Sequence, residues 1–394
     1  MDSNNLTPLR KGIVGVQFLF VAFGATVLVP LLVGLDPSTA LFTAGIGTLI
    51  FHAVTRGKVP IFLGSSFAFI APIIKATELY GLPGTLSGMV GVALVYFVMS
   101  ALVKWQGIRV IEKLFPPVVI GPVIILIGLS LAGTGVNMAK ENWVLALLSL
   151  VTAVIVSMKA KGLLKLIPIF CGIIVGYLAA WLFYDLDLSG VRDAAWIGLP
   201  QFVFPKFSWE PVLFMIPVAI APVIEHIGDV YVVNTVAGKD FVKDPGLHRT
   251  LLGDGLACFF AGLLGGPPVT TYSQVTGPMT LTKITNPQVI RIAAFSAILF
   301  SVIGKISALL KSIPSAVLGG IMLLLFGTIA CAGIANLVNN CIDLSRTRNI
   351  IIVSLTLTVG IGGAVFTWGE FSLSGIGLAA LVGVLLNLIL PRND

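Results

Sequence analysis

Apolar stretches follow one another from Gly12 almost to Leu390, broken only by short polar or Gly/Pro-rich segments. Each is roughly 17 to 25 residues long, enough for a helix to cross about 30 Å of hydrocarbon. Cutting at the breaks yields fourteen candidate spans, beginning near residues 12, 39, 60, 85, 114, 141, 163, 210, 250, 268, 289, 314, 348 and 374. Those near 60 and 268 are short. The pattern predicts an all-α polytopic membrane protein with no soluble domain of useful size. The first span follows Arg10 and Lys11 and has no small-residue cleavage site, so it reads as retained rather than as a signal peptide.

The two halves of the chain resemble each other. KLFPPVVIGPVIILIGLSLAGTG from Lys113 aligns without gaps onto KSIPSAVLGGIMLLLFGTIACAG from Lys311, matching Pro116 with Pro314, Val119 with Val317, Gly121 with Gly319 and Ala132 with Ala330. These are the fifth and twelfth spans. A repeat of seven spans is odd, which forces the second copy to be inverted in the membrane. Inverted repeats are a mark of secondary transporters, whose substrate sits near the midplane where interrupted helices meet.

Composition agrees with the pattern: of 394 residues, 57% are hydrophobic and 10% charged, and the mean hydropathy is +1.04. The net charge of +7 does not call for nucleic acid, because the basic residues are scattered through short loops. With the N-terminus in the cytoplasm, 18 of the 24 Lys and Arg fall inside. Lys75, Lys140, Arg192, Lys206, Lys305 and Lys311 are left outside. That bias predicts an even number of spans with both termini cytoplasmic. Cys171, Cys258, Cys331 and Cys341 lack the close spacing of a metal site and read as packing residues.

Two acids stand out against this apolar background. Glu225 and Asp229 lie in IPVAIAPVIEHIGDVYVV, one helical turn apart and so on one face of a helix. Ionisable groups at membrane depth are costly and mark substrate or ion paths, although such a group can also serve a neighbouring helix's polar atom. The short third and tenth spans, VPIFLGSSFAFIAP and GPPVTTYSQVTGP, each join an extended, Pro/Gly-interrupted entry to a Ser/Thr-rich helix start. Non-helical backbone at that depth is tolerated where it lines a cavity or is buried in protein. Two helix N-termini would then aim free amides and positive dipole ends at one central place, unless the segments are re-entrant loops without a ligand.

The runs FGATVLVP from Phe23, LGSSFAF from Leu63, EHIGD from Glu225, GKDFVKDPGLHR from Gly238 and TTYSQVTG from Thr270 resemble the nucleobase-ascorbate transporters, the second nucleobase-cation symporter family, and among them bacterial uracil permeases. The resemblance covers essentially the whole chain. It implies two inverted seven-span repeats divided into two domains. The core comprises residues 12–110 and 206–310, and the gate residues 111–205 and 311–391. The resemblance further implies a frequently dimeric assembly that moves substrate by an elevator-like displacement of the core, and the expected location of this chain is the bacterial inner membrane.

Carried over by position, the resemblance implies that Glu225 hydrogen-bonds the nucleobase, Phe67 packs on it and Ala25 lies beside it. Tyr272, Ser273 and Gln274 match the tenth-span binding run, and Phe326 matches a gate aromatic facing the pocket. Asp229, with Glu225, matches the cation-coupling positions. Two positions, Gln274 and Asp229, depart from the pattern of uracil permeases, and the residue after Gln274 departs as well. Gln274 stands where glutamate is common, and Val275 replaces an expected asparagine. Asp229 occupies a position that can be histidine.

The chemistry of these residue types suits a flat, neutral base. Phe67 offers an apolar wall, an ionised Glu225 accepts two N–H bonds, and the Gln274 amide offers one donor and one acceptor. Two acids one turn apart in an apolar surround favour sharing a proton, so the expected coupling ion is H+. A Na+ site built from Asp229 and freed carbonyls is the competing reading. His226 lies about 100° around the helix from Glu225 and reads as a structural hydrogen-bonder. The expected substrate is uracil, with xanthine or uric acid as alternatives, and membrane lipids and a second copy of the chain are the expected partners. A channel for small polar solutes is the different-class alternative. The sequence contains no nucleophile and base pair, phosphate loop or metal-ligand cluster, so neither an enzyme nor a cofactor is expected.

Overall fold

The computed structural model describes residues 7–162, 164–272, 275–368 and 371–391. Ser273 and Gln274 lie outside the described residues. Helix α1 (Pro8–Val33) begins where the Thr7 hydroxyl caps the Arg10 amide, and ends at Gly34 in the left-handed region. Asp36 caps α2 (Pro37–Val54) through the Thr39 amide. In both, proline occupies the first helical turn, where its missing N–H costs nothing.

Strand β1 (Leu63–Ser65) leads through a short 3₁₀ turn at Phe67–Phe69 into α3 (Ile70–Gln106). The backbone leaves helical geometry at Gly81, in the run GLPG, so α3 is two helices in series. The short α4 (Arg109–Leu114) precedes α5 (Pro117–Ser130), α6 (Ala132–Lys140), α7 (Trp143–Lys159) and α8 (Pro168–Phe183). After α9 (Ser189–Asp193) come α10 (Trp209–Met215) and α11 (Ile220–Ala237), which meet at 45° beside Pro217.

Helix α12 (Leu247–Leu263) leads to strand β2 (Val269–Thr271), α13 (Thr276–Thr282), α14 (Pro287–Ser301) and α15 (Gly304–Lys311). The chain closes with α16 (Ser315–Asn339), α17 (Thr347–Ile361), the hairpin β3 (Val365–Trp368) with β4 (Phe371–Ser374), and α18 (Gly375–Ile389). The repeat-matched prolines Pro116 and Pro314 are the N-caps of α5 and α16.

Among the described residues, five helical segments are long and apolar enough to cross a membrane, and the bent α10–α11 pair makes a sixth. Helices α7, α8, α14, α17 and α18 are apolar but shorter. The protein is thus an all-α polytopic membrane protein, with β-structure among the described residues limited to two short strand pairs and an isolated bridge between Ile197 and Ile303.

The helices pack in two groups. Helices α1, α2, α3, α10, α12 and α14 lie against one another, and α5, α6, α7, α8, α16, α17 and α18 form the second group. Helix α11 touches both, packing on α12 and β2 on one side and on α5 and α18 on the other. Within the second group α5 and α16 approach closely because Gly121 and Gly333 face each other's backbone, as small residues allow in membrane helices. Of the cysteines, Cys258 is buried, where its thiol donates to the Val269 carbonyl at 2.9 Å. Cys331 and Cys341 are exposed: the packing role expected for them fails, because one lies on an outward side of α16 and the other just beyond its end.

Candidate functional site

The two interrupted spans meet as an antiparallel strand pair with Leu63 opposite Thr271, Gly64 opposite Thr270 and Ser65 opposite Val269. The pairing continues beyond the strands, where the Ser66 amide donates to the Pro268 carbonyl at 2.9 Å and the Tyr272 amide to the Phe62 carbonyl at 3.1 Å. Extended backbone in the membrane interior is thereby satisfied, as burial without water requires. Side chains from neighbouring helices complete the account. The Leu63 amide donates to the Thr48 hydroxyl at 2.9 Å, and the Ser65 hydroxyl to the Thr26 carbonyl at 2.9 Å.

Tyr272 lies across this junction. It is buried and its hydroxyl donates to the Ser65 carbonyl at 2.8 Å, so the polar end is spent on the opposite broken span. A Cβ at position 64 would stand 2.3 Å from the Tyr272 ring, so only glycine there lets the ring cross. The glycine of LGSSFAF therefore serves the joining of the two spans.

Helix α11 presents the acidic pair to this junction. Asp229 is 7% exposed, and its Oδ2 accepts from the Thr271 hydroxyl at 2.8 Å. Glu225, one turn earlier, is half-buried and accepts no hydrogen bond among the described residues. One carboxylate is thus engaged by β2 while the other keeps its acceptor capacity. Phe67, at the helix start of the first broken span, is 6% exposed, and its ring meets Phe326 of α16 edge to face at 6.3 Å. Ala25 is buried in α1, the residue before Thr26, whose carbonyl holds Ser65.

The structure therefore brings Ala25, Phe67, Glu225, Asp229, Tyr272 and Phe326 onto the elements around one junction, while Ser273 and Gln274 fall outside the described residues. The arrangement offers an aromatic wall, a free acceptor and a second acid anchored to a strand. Among the described residues, no group of three or more His, Cys, Asp or Glu could hold a metal ion.

Sequence reasoning missed Asp254. It is wholly buried in α12, where its Oδ2 meets His226 Nδ1 at 2.8 Å, while His226 Nε2 meets the Thr250 hydroxyl at 2.9 Å. His226 is the structural hydrogen-bonder expected, and Asp254 is its partner. The signal was present: an acid inside LLGDGLACFFAG is as costly at membrane depth as Glu225. Thr271 was also missed as the donor to Asp229, because a threonine in a short strand carries no periodic signal.

Fold and site together define a membrane permease, in which broken spans and the pair of buried Asp229 and half-buried Glu225 form an interior polar site. A family model described as "Permease family" matches residues 11–368. The probable uracil permease of Pasteurella multocida (strain Pm70) is 48% identical over 392 residues, covering 97% of this chain and 94% of that protein. The uracil permease of Bacillus caldolyticus is 47% identical over 391 residues, covering 95% and 90% respectively. The chain belongs to this permease family, that of the nucleobase-ascorbate transporters. Among solved structures, the transmembrane domain of a cyanobacterium bicarbonate transporter, BicA, matches with a TM-score of 0.66 over 98% of each chain. At 16% identity that likeness is one of fold.

Proposed function

We propose that the protein is a secondary active transporter that imports uracil by proton symport. The observation that carries this reading is the half-buried Glu225, with its acceptor capacity free, beside a junction walled by Phe67 and Phe326. A uracil ring needs an apolar surface for its face and acceptors for its N–H groups, and these residues offer both. Extensive identity to proteins named uracil permeases supports the choice of base. Family membership favours transport over catalysis.

In this reading Glu225, Phe67, Ala25, Tyr272, Ser273, Gln274 and Phe326 surround the base, with Tyr272 acting through the junction it holds. Asp229, with Glu225, carries the proton, and Thr271 fixes its orientation. The chain forms fourteen spans in two inverted sets of seven, counting the two broken spans and the shorter apolar helices. The two packing groups are the core and gate, and the core moves against the gate in an elevator-like step. Their sparse mutual packing supports that division, with α11 at the boundary.

Sidedness follows from charge. Lys58 with Asp244, Lys11 with Gln288 and Arg348 with Asn387 are pairs among segments assigned to the cytoplasm. Lys311 with Asp36 and Lys305 with the Val191 carbonyl are pairs among segments assigned to the outside. None of these pairs mixes the two assignments. We place both termini in the cytoplasm, the protein in the bacterial inner membrane, and two copies in the working assembly.

Thermal unfolding of the purified protein with uracil, xanthine and uric acid tests the base, since a ligand that binds the folded state raises its stability. Uptake into proteoliposomes under imposed H+ or Na+ gradients tests the coupling. Stabilisation by xanthine but not uracil, or accumulation driven by Na+ alone, would refute the corresponding part.

A further inference from the structure

Two stretches of chain cross between the packing groups on the side assigned to the outside. Residues 184–208 run from α8 of the second group to α10 of the first and contain α9. Residues 302–314 run from α14 of the first group to α16 of the second and contain α15. The stretches are joined to each other. The Gly198 amide donates to the Val302 carbonyl at 3.0 Å and the Gly304 amide to the Trp196 carbonyl at 3.2 Å, which sets Ile197 opposite Ile303 in an antiparallel, non-hydrogen-bonded pair. A Cβ at position 304 would stand 2.5 Å from the Ala195 carbonyl oxygen, so glycine permits this approach. Lys305 completes the join. Its ammonium donates to the Val191 and Arg192 carbonyls at 2.8 and 2.6 Å, where α9 ends and helical partners run out, and lies 5.8 Å from the centre of the Trp196 ring.

The joined stretches are fastened to the first group. Lys311, at the end of α15, pairs at 2.7 Å with Asp36, the N-cap of α2. The Thr39 hydroxyl of α2 donates to the Gln201 carbonyl at 3.0 Å, and the Lys206 amide donates to the Pro83 carbonyl of α3 at 2.9 Å. The Phe42 ring meets Phe202 edge to face at 5.3 Å. Toward the second group, the Tyr177 hydroxyl of α8 meets the Ser312 hydroxyl at 2.7 Å, at the far end of its stretch.

We propose that the two stretches form one cap, clasped by Lys305, that belongs to the core and travels with it, flexing where each stretch enters the gate, at residues 184–188 and 312–314. The inference rests on the core–gate movement proposed above. Segments that cross a moving boundary must absorb the displacement in a few loop or element-terminal residues. Here the middle of each stretch is held by its neighbour and by the core, which leaves that task to the gate ends. Lys305 is a positioning residue: it acts through the cap and not on the base or the acid pair.

The test compares uracil uptake in proteoliposomes by three paired-cysteine variants, linked and unlinked, with Cys171, Cys331 and Cys341 replaced by serine. Ile197→Cys with Ile303→Cys places a disulfide inside the cap, where such a pair stands about 4.5 Å apart at Cα. Phe42→Cys with Phe202→Cys, bridged by a short bifunctional thiol reagent, ties the cap to the core. Gly24→Cys with Ile169→Cys ties α1 to α8 across the core–gate boundary, where a Cβ at position 24 would stand 3.7 Å from that of Ile169. The first two links should leave uptake within about twofold of the unlinked forms, and the third should arrest it. Arrest by the Ile197–Ile303 link means that the stretches part during transport, and arrest by the Phe42–Phe202 link means that the cap does not ride on the core. Either result overturns the proposal. Uptake that survives the third link refutes the core–gate movement, and the proposal with it, by a result distinct from the other two. Lys305→Met gives a measure without cysteines. Its maximal uptake rate should fall by about tenfold while uracil affinity holds, and Lys305→Arg should restore most of the rate because it keeps the charge and the donors. An unchanged rate in Lys305→Met overturns the clasp.

Discussion

The rings of Phe67 and Phe326 stand edge to face, 6.3 Å between centroids and 84° between planes, joining the helix start of the first broken span to the interior of α16. These residues belong to the two different packing groups. Their contact therefore crosses the boundary along which the core is proposed to move, whereas the Tyr272–Ser65 contact lies within one group.

Phe326→Ala is expected to lower the uptake rate more than equilibrium affinity for the base, since it removes an aromatic contact worth about 0.5–1.5 kcal/mol across the moving boundary. Phe67→Ala is expected to weaken binding as well, because its ring is the proposed wall. Calorimetric affinity alongside initial uptake rates checks both. Equal loss of affinity in the two variants would contradict the division of roles.

Glu225→Gln is expected to weaken uracil binding by at least tenfold, roughly 1.4 kcal/mol. The substitution replaces a charged double acceptor by a group that must present a donor to a base N–H. An affinity equal to the parent's would remove Glu225 from the site.

Asp229→Asn is expected to abolish gradient-driven accumulation while leaving equilibrium binding within about tenfold, roughly 1.4 kcal/mol. Thr271→Val should move in the same direction, less far, because it deletes the 2.8 Å hydrogen bond but leaves the acid. Proteoliposome uptake under an imposed pH gradient provides the readout. Undiminished accumulation in Asp229→Asn would exclude it from coupling.

A pH effect is expected outside the membrane spans, at Asp36. Burial alone would raise its carboxyl, but the Lys311 ammonium at 2.7 Å and the Thr39 amide and hydroxyl together hold it below its ordinary value of 3.8. An acid with a lowered folded-state pKa stabilises fully above its unfolded value, and loses that contribution as pH falls through the lower folded one. The parent should exceed Asp36→Asn in unfolding temperature from about pH 6 down to about pH 4, with the gap closing on further acidification. A gap independent of pH would mean that the carboxylate charge does not matter there.

Much of this molecule is legible along the chain because membrane insertion acts locally. Apolar length, Lys/Arg placement and the Pro/Gly interruptions at 60 and 268 each report on a short stretch, and each needs only the bilayer as context. The same holds for Glu225 and Asp229, whose cost at membrane depth makes them conspicuous before any fold is known. What only the tertiary structure decided are contacts between residues far apart in sequence. The strand register that sets Gly64 opposite Thr270, the Tyr272 hydroxyl on Ser65, the Phe326 ring on Phe67 and the Asp254 carboxylate on His226 follow no local period. They depend on how two helix groups and two broken spans come together, where burial obliges each polar atom to find its partner on whichever segment the packing brings within reach.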